Sequence, residues 1–177
     1  MRFLVPLGVA VALVAAFLLL RAGPAAVAVV EKQLVLSFPG ATGWREEPAC
    51  TDVDATDACA GEWTHEGGQK VRVLLLPLID AARLGTLTQR LQQQVEAKGG
   101  VVGELDLQGN KVVRMLQPVV RAEDNVDVVN ITYLLPSPDR RLLHLVTSLV
   151  LQKEQIEADQ RVRDLLAFSA WTEDADL

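Results

Sequence analysis

Apolar and polar residues alternate along most of the chain with the two-residue period of β-strands. Turn residues such as Gly67-Gly68 and Gly109-Asn110 separate these runs, which indicates tight connections. The pattern predicts seven strands, at residues 32–38, 61–66, 69–78, 101–108, 111–122, 126–135 and 140–151. Residues 41–60 are rich in Gly, Pro, Asp and Thr, and are predicted to form a loop.

Two segments have a helical period instead. In the first, apolar residues recur at spacings of three and four, at Leu84, Leu87, Leu91 and Val95. This predicts an amphipathic helix with an N-cap at Thr86 or Thr88 and an end at Gly99-Gly100. The second helix is predicted from Glu154 to about Phe168. Its inward side is predicted to hold Ile156, Val162, Leu165 and Leu166, with Trp171 beyond its end. Its water-facing side is predicted to hold Lys153, Glu157, Asp159, Arg161 and Arg163.

The order of these elements predicts the fold class. Because short turns join most strands, the sheet is expected to be antiparallel. The strand at 140–151 is apolar on both faces, which predicts a central position. The expected fold is therefore α+β, an antiparallel sheet of about six to seven strands with helices packed on it as an α/β/α sandwich.

The first residues form a targeting segment by pattern. Met1-Arg2 precedes an uncharged run, Phe3–Leu20, and Ala26-Val27-Ala28 has the small-residue spacing of a cleavage site. A signal peptide cleaved after Ala28 is predicted. An uncleaved membrane anchor is the alternative, since a span needs ~20 apolar residues. Either segment places the rest outside the cytoplasm, periplasmic or secreted. The predicted organisation is a targeting segment at 1–28, one domain at 29–171 and an acidic tail at 172–177.

The net charge of the chain limits the classes of partner that are expected. The 177-residue chain has a formal net charge of −6, and the two arginines of its N-terminal segment are not balanced there by any acid. An acidic domain repels phosphate backbones, so nucleic acid is not expected as a partner. Contact with a membrane is expected only through the N-terminal segment, if that segment is not cleaved.

Two cysteines, Cys50 and Cys59, are the only ones in the chain. In an extracytoplasmic protein this pair predicts a disulfide that clips a short loop. A pair of metal-binding thiolates is the weaker alternative, since the spacing is not C-x-x-C.

Acidic residues inside that loop raise a second metal hypothesis. Oxygen ligands from the loop could join one imidazole around a divalent cation, using Asp52, Asp54, Asp57 and His65. The spacing differs from the Ca²⁺ helix–loop–helix pattern, where Asp57 takes the place of a required glycine. A solvated acidic loop beside a surface histidine is the favoured interpretation, and no cofactor or resident metal is predicted.

Catalytic patterns are weak. His144 and Ser148 share one face of the predicted central strand, but the chain has no G-x-S-x-G elbow. Paired carboxylates fall in loops, and the Gly-Gly pairs lack the residues of a phosphate-binding loop. No enzyme activity is therefore predicted. Trp44, after a loop glycine, is a candidate interaction anchor, and packing at the rim of the core is its alternative.

The chain resembles the PsbP-like superfamily in its layout and in short motifs. These are Leu34–Pro39 followed by Gly43-Trp44, and a terminal helix that ends in Ala167–Trp171. The superfamily includes the photosystem II extrinsic protein, a Ran-binding nuclear import factor and bacterial envelope proteins. The resemblance implies a sheet between helices and a role as scaffold, adaptor or assembly factor. The expected function is an exported, non-enzymatic protein-binding or assembly module. A small-ligand or metal carrier is the alternative, and a hydrolase the less favoured one.

Overall fold

A computed structural model describes residues 33–47, 50, 59–77, 81–107, 109–121 and 124–174. The predicted targeting segment, the three aspartates of the clipped loop and the last three residues of the acidic tail lie outside these ranges. The strands are β1 (Gln33–Ser37), β2 (Trp44–Glu47), β3 (Cys59–His65), β4 (Lys70–Pro77), β5 (Val101–Leu107), β6 (Asn110–Arg121), β7 (Val126–Pro136), β8 (Leu142–Leu151) and β9 (Ala170–Asp174). The helices are α1 (Ala81–Ala97) and α2 (Gln155–Leu166), and a 3₁₀ turn, Gln152–Glu154, precedes α2.

Seven strands form one antiparallel sheet in the order β2-β3-β4-β8-β7-β6-β5. β8 is the middle strand, so its predicted central position is confirmed. The reason is visible in its sequence, because both faces of its first half are buried, as at Leu143 and His144. β1 and β9 pair separately as a two-stranded antiparallel ribbon.

The two faces of the sheet carry different layers. On one face, α1 places Leu91 and Val95 against Met115, Leu134 and Leu143. On the other face lies the larger core, to which α2 and the β1–β9 ribbon both contribute. Its central side chains include Leu36, Ile131, Tyr133, Val146 and Leu165. The predicted α+β class with helices on both sides of an antiparallel sheet is confirmed.

Two strands were not predicted. β2 lies inside the predicted loop, and three of its four residues are charged, so its sequence lacks strand alternation. β9 takes in residues assigned to the acidic tail, and it extends to Asp174 because it pairs with β1, Gln33 opposite Asp174. The predicted boundary between domain and tail at 171–172 therefore falls within a strand.

Three predictions about the helices are wrong. α1 begins at Ala81, so Thr86 and Thr88 lie inside it and neither caps it. On α2, Ile156 is 84% exposed and Asp159 is 1% exposed, which reverses both assignments. At about 100° per residue, Ile156 lies roughly a third of a turn from the centre of the buried face. Asp159 lies at the edge of that face and is buried with charged partners.

Among the described residues, no helix has both the length and the apolar character needed to cross a membrane.

Candidate functional site

Trp44 lies at the start of β2, the edge strand of the sheet, directly opposite His65 of β3. The two rings meet edge to face, with centroids 5.0 Å apart and planes at 67°. Both side chains are half-buried, and Trp44 packs on the rim of the larger core. The structure thus favours packing at the core rim over full exposure, while part of the indole remains accessible. We call Trp44, His65 and the turns at Gly43 and Gly67 the Trp44 corner.

Backbone hydrogen bonds fix His65 in this corner. Its Nδ1 accepts the N–H of Gly67 at 3.0 Å. Gly43 adopts a positive φ of 79°, and its carbonyl accepts the N–H of Glu66 at 2.9 Å. A Cβ at Gly43 would lie in ordinary van der Waals contact with His65 Nε2, at 3.4 Å, so it is the positive φ that favours glycine here. The ring of His65 is therefore held as a support for Trp44.

The metal hypothesis combined His65 with Asp52, Asp54 and Asp57. The three aspartates lie outside the described residues, so this combination of ligands stays a prediction. Within the described ranges, no group of three or more His, Cys, Asp or Glu side chains could hold a metal ion. His65 Nδ1 accepts the N–H of Gly67, so in the neutral ring the proton lies on Nε2, and neither nitrogen offers a lone pair to a metal in this arrangement.

The Cys50–Cys59 disulfide expected from the sequence is present in the structure. Cys50 follows β2 closely and Cys59 is the first residue of β3. The two strands form a hairpin, with Trp44 and His65 at its open end. The disulfide therefore clips the end of this hairpin that lies farthest from the Trp44 corner.

Ion pairs reinforce the same hairpin. Glu62 of β3 is fully buried and lies opposite Glu47 of β2, which would set two carboxylates against each other. Arg72 Nε lies 2.6 Å and Lys70 Nζ 3.1 Å from the carboxylate of Glu62. Arg45 bonds to Glu47 at 2.8 Å, and this hydrogen bond lowers the pKa of the Glu47 carboxyl. Glu62 is thus paired with Arg72 and Lys70, and Glu47 is paired with Arg45.

His144 and Ser148, the candidate hydrolase pair, are not brought together. Four residues of extended strand separate them by roughly 13 Å. The Ser148 hydroxyl donates to the Lys70 carbonyl at 2.7 Å and accepts from Gln69 Nε2 at 3.2 Å. Its hydrogen bonds hold β8 against β4 and the turn before it, so it is not poised as a nucleophile with His144.

His144 itself lies under the ribbon, with its ring centroid 5.0 Å from that of Trp171. It is fully buried, and within the described part of the chain neither ring nitrogen makes a well-formed hydrogen bond, although the Leu135 backbone lies close enough to interact with the ring. Burial lowers the pKa of His144 to about 4, an effect that the Leu135 backbone and the Asp139 carboxylate offset only in part. The imidazole is neutral at physiological pH.

A buried polar network joins α2 to the sheet. Arg114 of β6 donates to both carboxylate oxygens of Asp159, at 2.9 and 2.8 Å. The Tyr133 hydroxyl donates to Asp159 Oδ1 at 2.7 Å, and Arg163 lies 3.3 Å from Oδ2. Burial and the neighbouring Asp159 raise the pKa of the Tyr133 hydroxyl. A bidentate pair of this kind fixes orientation, so the network aligns α2 on the sheet.

Comparison with solved structures finds proteins of similar fold, one of which is LpqN. LpqN, a protein described as involved in cell envelope biogenesis of Mycobacterium tuberculosis, superposes with a TM-score of 0.54. The sequences are 13% identical, and the match covers 80% of this chain and 85% of LpqN. At this identity the likeness establishes the fold alone. It supports the PsbP-like resemblance at the level of the fold.

No family model matches the chain, and no curated protein matches its sequence.

Sequence reasoning placed Trp44 and the disulfide but missed the network around Asp159. One signal could have found it. Arg114 shares the face of β6 with Val112 and Leu116, both buried, so a charge at that position required a buried acid as partner. The register of the sheet, which decides which acid lies nearby, is not visible in the pattern.

Proposed function

We propose that this chain is an exported protein of the cell envelope that acts by binding another protein rather than by catalysis. The Trp44 corner is the proposed contact surface. One observation carries the proposal: an indole at the sheet edge, partly accessible and fixed from behind by His65 and the core. Large aromatic side chains that are rigid before binding are typical anchors of protein interfaces.

The location outside the cytoplasm has two supports. The first is the Cys50–Cys59 disulfide, because stable disulfides form mainly in oxidising compartments. The second is the N-terminal segment with its uncharged run Phe3–Leu20, whose sequence favours a signal peptide or an anchor. LpqN, with a similar fold, is described as involved in cell envelope biogenesis, which agrees with this proposal.

The preference for binding over catalysis rests on the polar groups of the described residues. Ser148 is occupied in strand pairing, and Asp159 is surrounded by arginines and Tyr133. Buried ion-pair networks can have a purely structural role. The Trp44 corner is instead accessible at an edge, where a partner can reach it.

Cross-linked capture from an envelope extract of the native host tests the proposal. The full-length chain, extracted in nonionic detergent, is compared with Trp44→Ala and with Phe168→Ala. Phe168 is the matched control, an aromatic side chain that is 44% exposed just after α2 and is not one of the residues of the corner. We expect one reproducible protein partner that binds wild type and Phe168→Ala and is lost with Trp44→Ala.

Trp44→Ala also removes contacts with the core, so loss of capture needs a folding control. Equal near-UV circular dichroism and a cooperative thermal transition for Trp44→Ala would show that the fold persists. If the folded Trp44→Ala variant captured the same partner as wild type, the corner would not be the contact surface. If wild type captured no partner, the binding function itself would be contradicted.

A further inference from the structure

β5 ends the seven-stranded sheet at the edge opposite β2. Among the described strands, only β6 pairs with it. All seven residues of β5 are in continuous register with β6, Val101 opposite Leu116 and Leu107 opposite Asn110. Alternate residues of an antiparallel edge strand direct N–H and C=O away from the sheet, so β5 presents about six such groups outward. The strand is about 24 Å long.

The two edges of the sheet are protected differently. β2 has four residues, bears charges at three of them, and is clipped to β3 by the disulfide. β5 has seven residues, VVGELDL, and contains no proline, lysine or arginine. Short length, bulges, proline and charged side chains, lysine above all, are among the devices that prevent an edge from pairing with another chain. Of these, β5 has only charged side chains, and both are acidic.

Among the described residues, the space around β5 is open. Val101 is 61% exposed although it is apolar, and Gly103 and Glu104 are exposed as well. A Cβ built on Gly103 would meet nothing within 4 Å. A second strand beside β5 would therefore find room for its side chains. The charged residues of β5 are both acidic, Glu104 and Asp106.

These acids decide which kind of strand fits. In a two-fold antiparallel pair of two copies, the full-length register places Glu104 opposite Glu104 of the second copy. Shifting the second copy by two residues in one direction places Glu104 opposite Asp106. Shifting it in the other direction places Glu104 opposite Val102, with five of the seven residues paired and the two Glu104 side chains diagonal to each other. Like charges directly opposite each other destabilise a strand pair, whereas opposite charges stabilise it. A second copy is therefore disfavoured, and a strand that carries lysine or arginine is favoured.

We propose that β5 is a strand-addition site, at which an extended basic segment of another protein pairs with Val101–Leu107 and lengthens the sheet. Backbone hydrogen bonds would supply affinity, and lysine or arginine at alternate positions would supply selectivity against neutral and acidic segments. This extends the proposed binding function to a second surface. Because the Trp44 corner lies at the other edge, the two proposals can fail separately.

A labelled peptide of alternating valine and lysine is the probe, with alternating valine and glutamate as the control peptide. Fluorescence anisotropy is measured on the full-length chain in nonionic detergent, for wild type, Glu104→Lys and Glu46→Lys. Glu46 is the matched control, an exposed glutamate on the opposite edge strand, so both variants change net charge equally. We expect the lysine peptide to bind wild type and Glu46→Lys alike. Glu104→Lys should weaken it about tenfold, because attraction across the pair becomes repulsion.

Amide hydrogen exchange separates strand addition from attraction by charge alone. If the peptide pairs with β5, amides within 101–107 exchange more slowly in its presence, while those of β2 do not change. Binding without that protection, equal weakening by both variants, or no binding would each overturn the proposal. Protection of 101–107 that rises with protein concentration, without peptide, would assign the edge to a second copy instead. None of these results would affect the proposal that a partner protein binds at the Trp44 corner.

Discussion

At the scale of single residues, His144 makes the stability of the fold depend on pH. Its pKa is about 4 in the folded chain and 6.5 in its unperturbed state. Below pH 6.5 the unfolded chain binds a proton that the folded chain does not accept until about pH 4. We therefore expect His144 to cost about 3 kcal/mol of stability as pH falls from 6.5 to 4, and no more below 4.

The measurement is urea unfolding at a series of pH values for wild type and His144→Phe. Phenylalanine keeps a ring against Trp171 but cannot titrate, so the difference in unfolding free energy between the proteins should change by about 2–3 kcal/mol between pH 7 and 4.5. The carboxyl groups titrate in both proteins, so their contribution to the pH dependence cancels in this difference. A difference that stays constant with pH would mean that His144 is solvated or protonated in the folded chain.

Asp159 is the second residue whose effect can be predicted. Asp159→Asn keeps the shape of the side chain but removes the charge that pairs with Arg114 and Arg163. Because the side chain of Arg114 is 26% exposed, we expect a loss of about 2 kcal/mol, less than for a fully buried pair. Asp164→Asn, exposed on the same helix, should change the unfolding free energy by less than about 0.5 kcal/mol. Equal effects in thermal or urea unfolding would show that the network does not stabilise the domain.

At the scale of elements, the disulfide is expected to stabilise the β2–β3 hairpin locally. Closing a loop with a sequence separation of 9 residues should contribute about 2–3 kcal/mol through chain entropy. After reduction, amides of β2 should exchange faster through local opening of the hairpin. Amides of β7 and β8, which have partner strands on both sides, should accelerate by no more than the roughly 2–3 kcal/mol lost from global unfolding. Non-reduced protein should show no free thiol on titration. Free thiols before reduction, or β2 amides whose exchange does not change after it, would contradict this account.

The elements also differ in how well their sequences predict them. Strands such as β7 and β8 have enough alternating apolar residues to be recognised alone, and α1 has a clear helical period. β2 and β9 have acidic sequences, and they are strands only because β3 and β1 lie beside them. A pattern along the chain does not contain that information. The same limit explains Asp159, whose burial depends on an arginine 45 residues away.

The candidate site was predictable to a similar extent. Trp44 and the cysteines stand out by residue type, since each is rare in the chain and chemically distinctive. The support of Trp44 by His65 follows from the pairing of β2 with β3, which the loop-like sequence between them concealed. The open edge at β5 could not be predicted, because seven strands in sequence order do not reveal which strand lies last in the sheet.

At the scale of the whole molecule, both layers on the sheet are expected to be indispensable to one cooperative fold. Leu143 faces α1 and is fully buried, and Leu166 is 1% exposed on α2 at the other face. An aspartate at either position would bury an unpaired charge, which costs more than a marginally stable domain can supply. We expect Leu143→Asp and Leu166→Asp each to prevent folding, measured by near-UV circular dichroism and the loss of a cooperative thermal transition.

Matched controls on the same elements distinguish burial from a general intolerance of charge. The controls are Leu149→Asp and Ile156→Asp. Leu149 lies on β8 and is 40% exposed, and Ile156 lies on α2 and is 84% exposed. Ile156→Asp should change stability by less than about 0.5 kcal/mol, and Leu149→Asp should be folded though weakened. The milder Leu143→Ala and Leu166→Ala should each lose about 2–5 kcal/mol while remaining folded. If Leu143→Asp melted like wild type while Leu166→Asp did not fold, α1 would be a peripheral layer, and the sheet, α2 and the ribbon would form the cooperative unit.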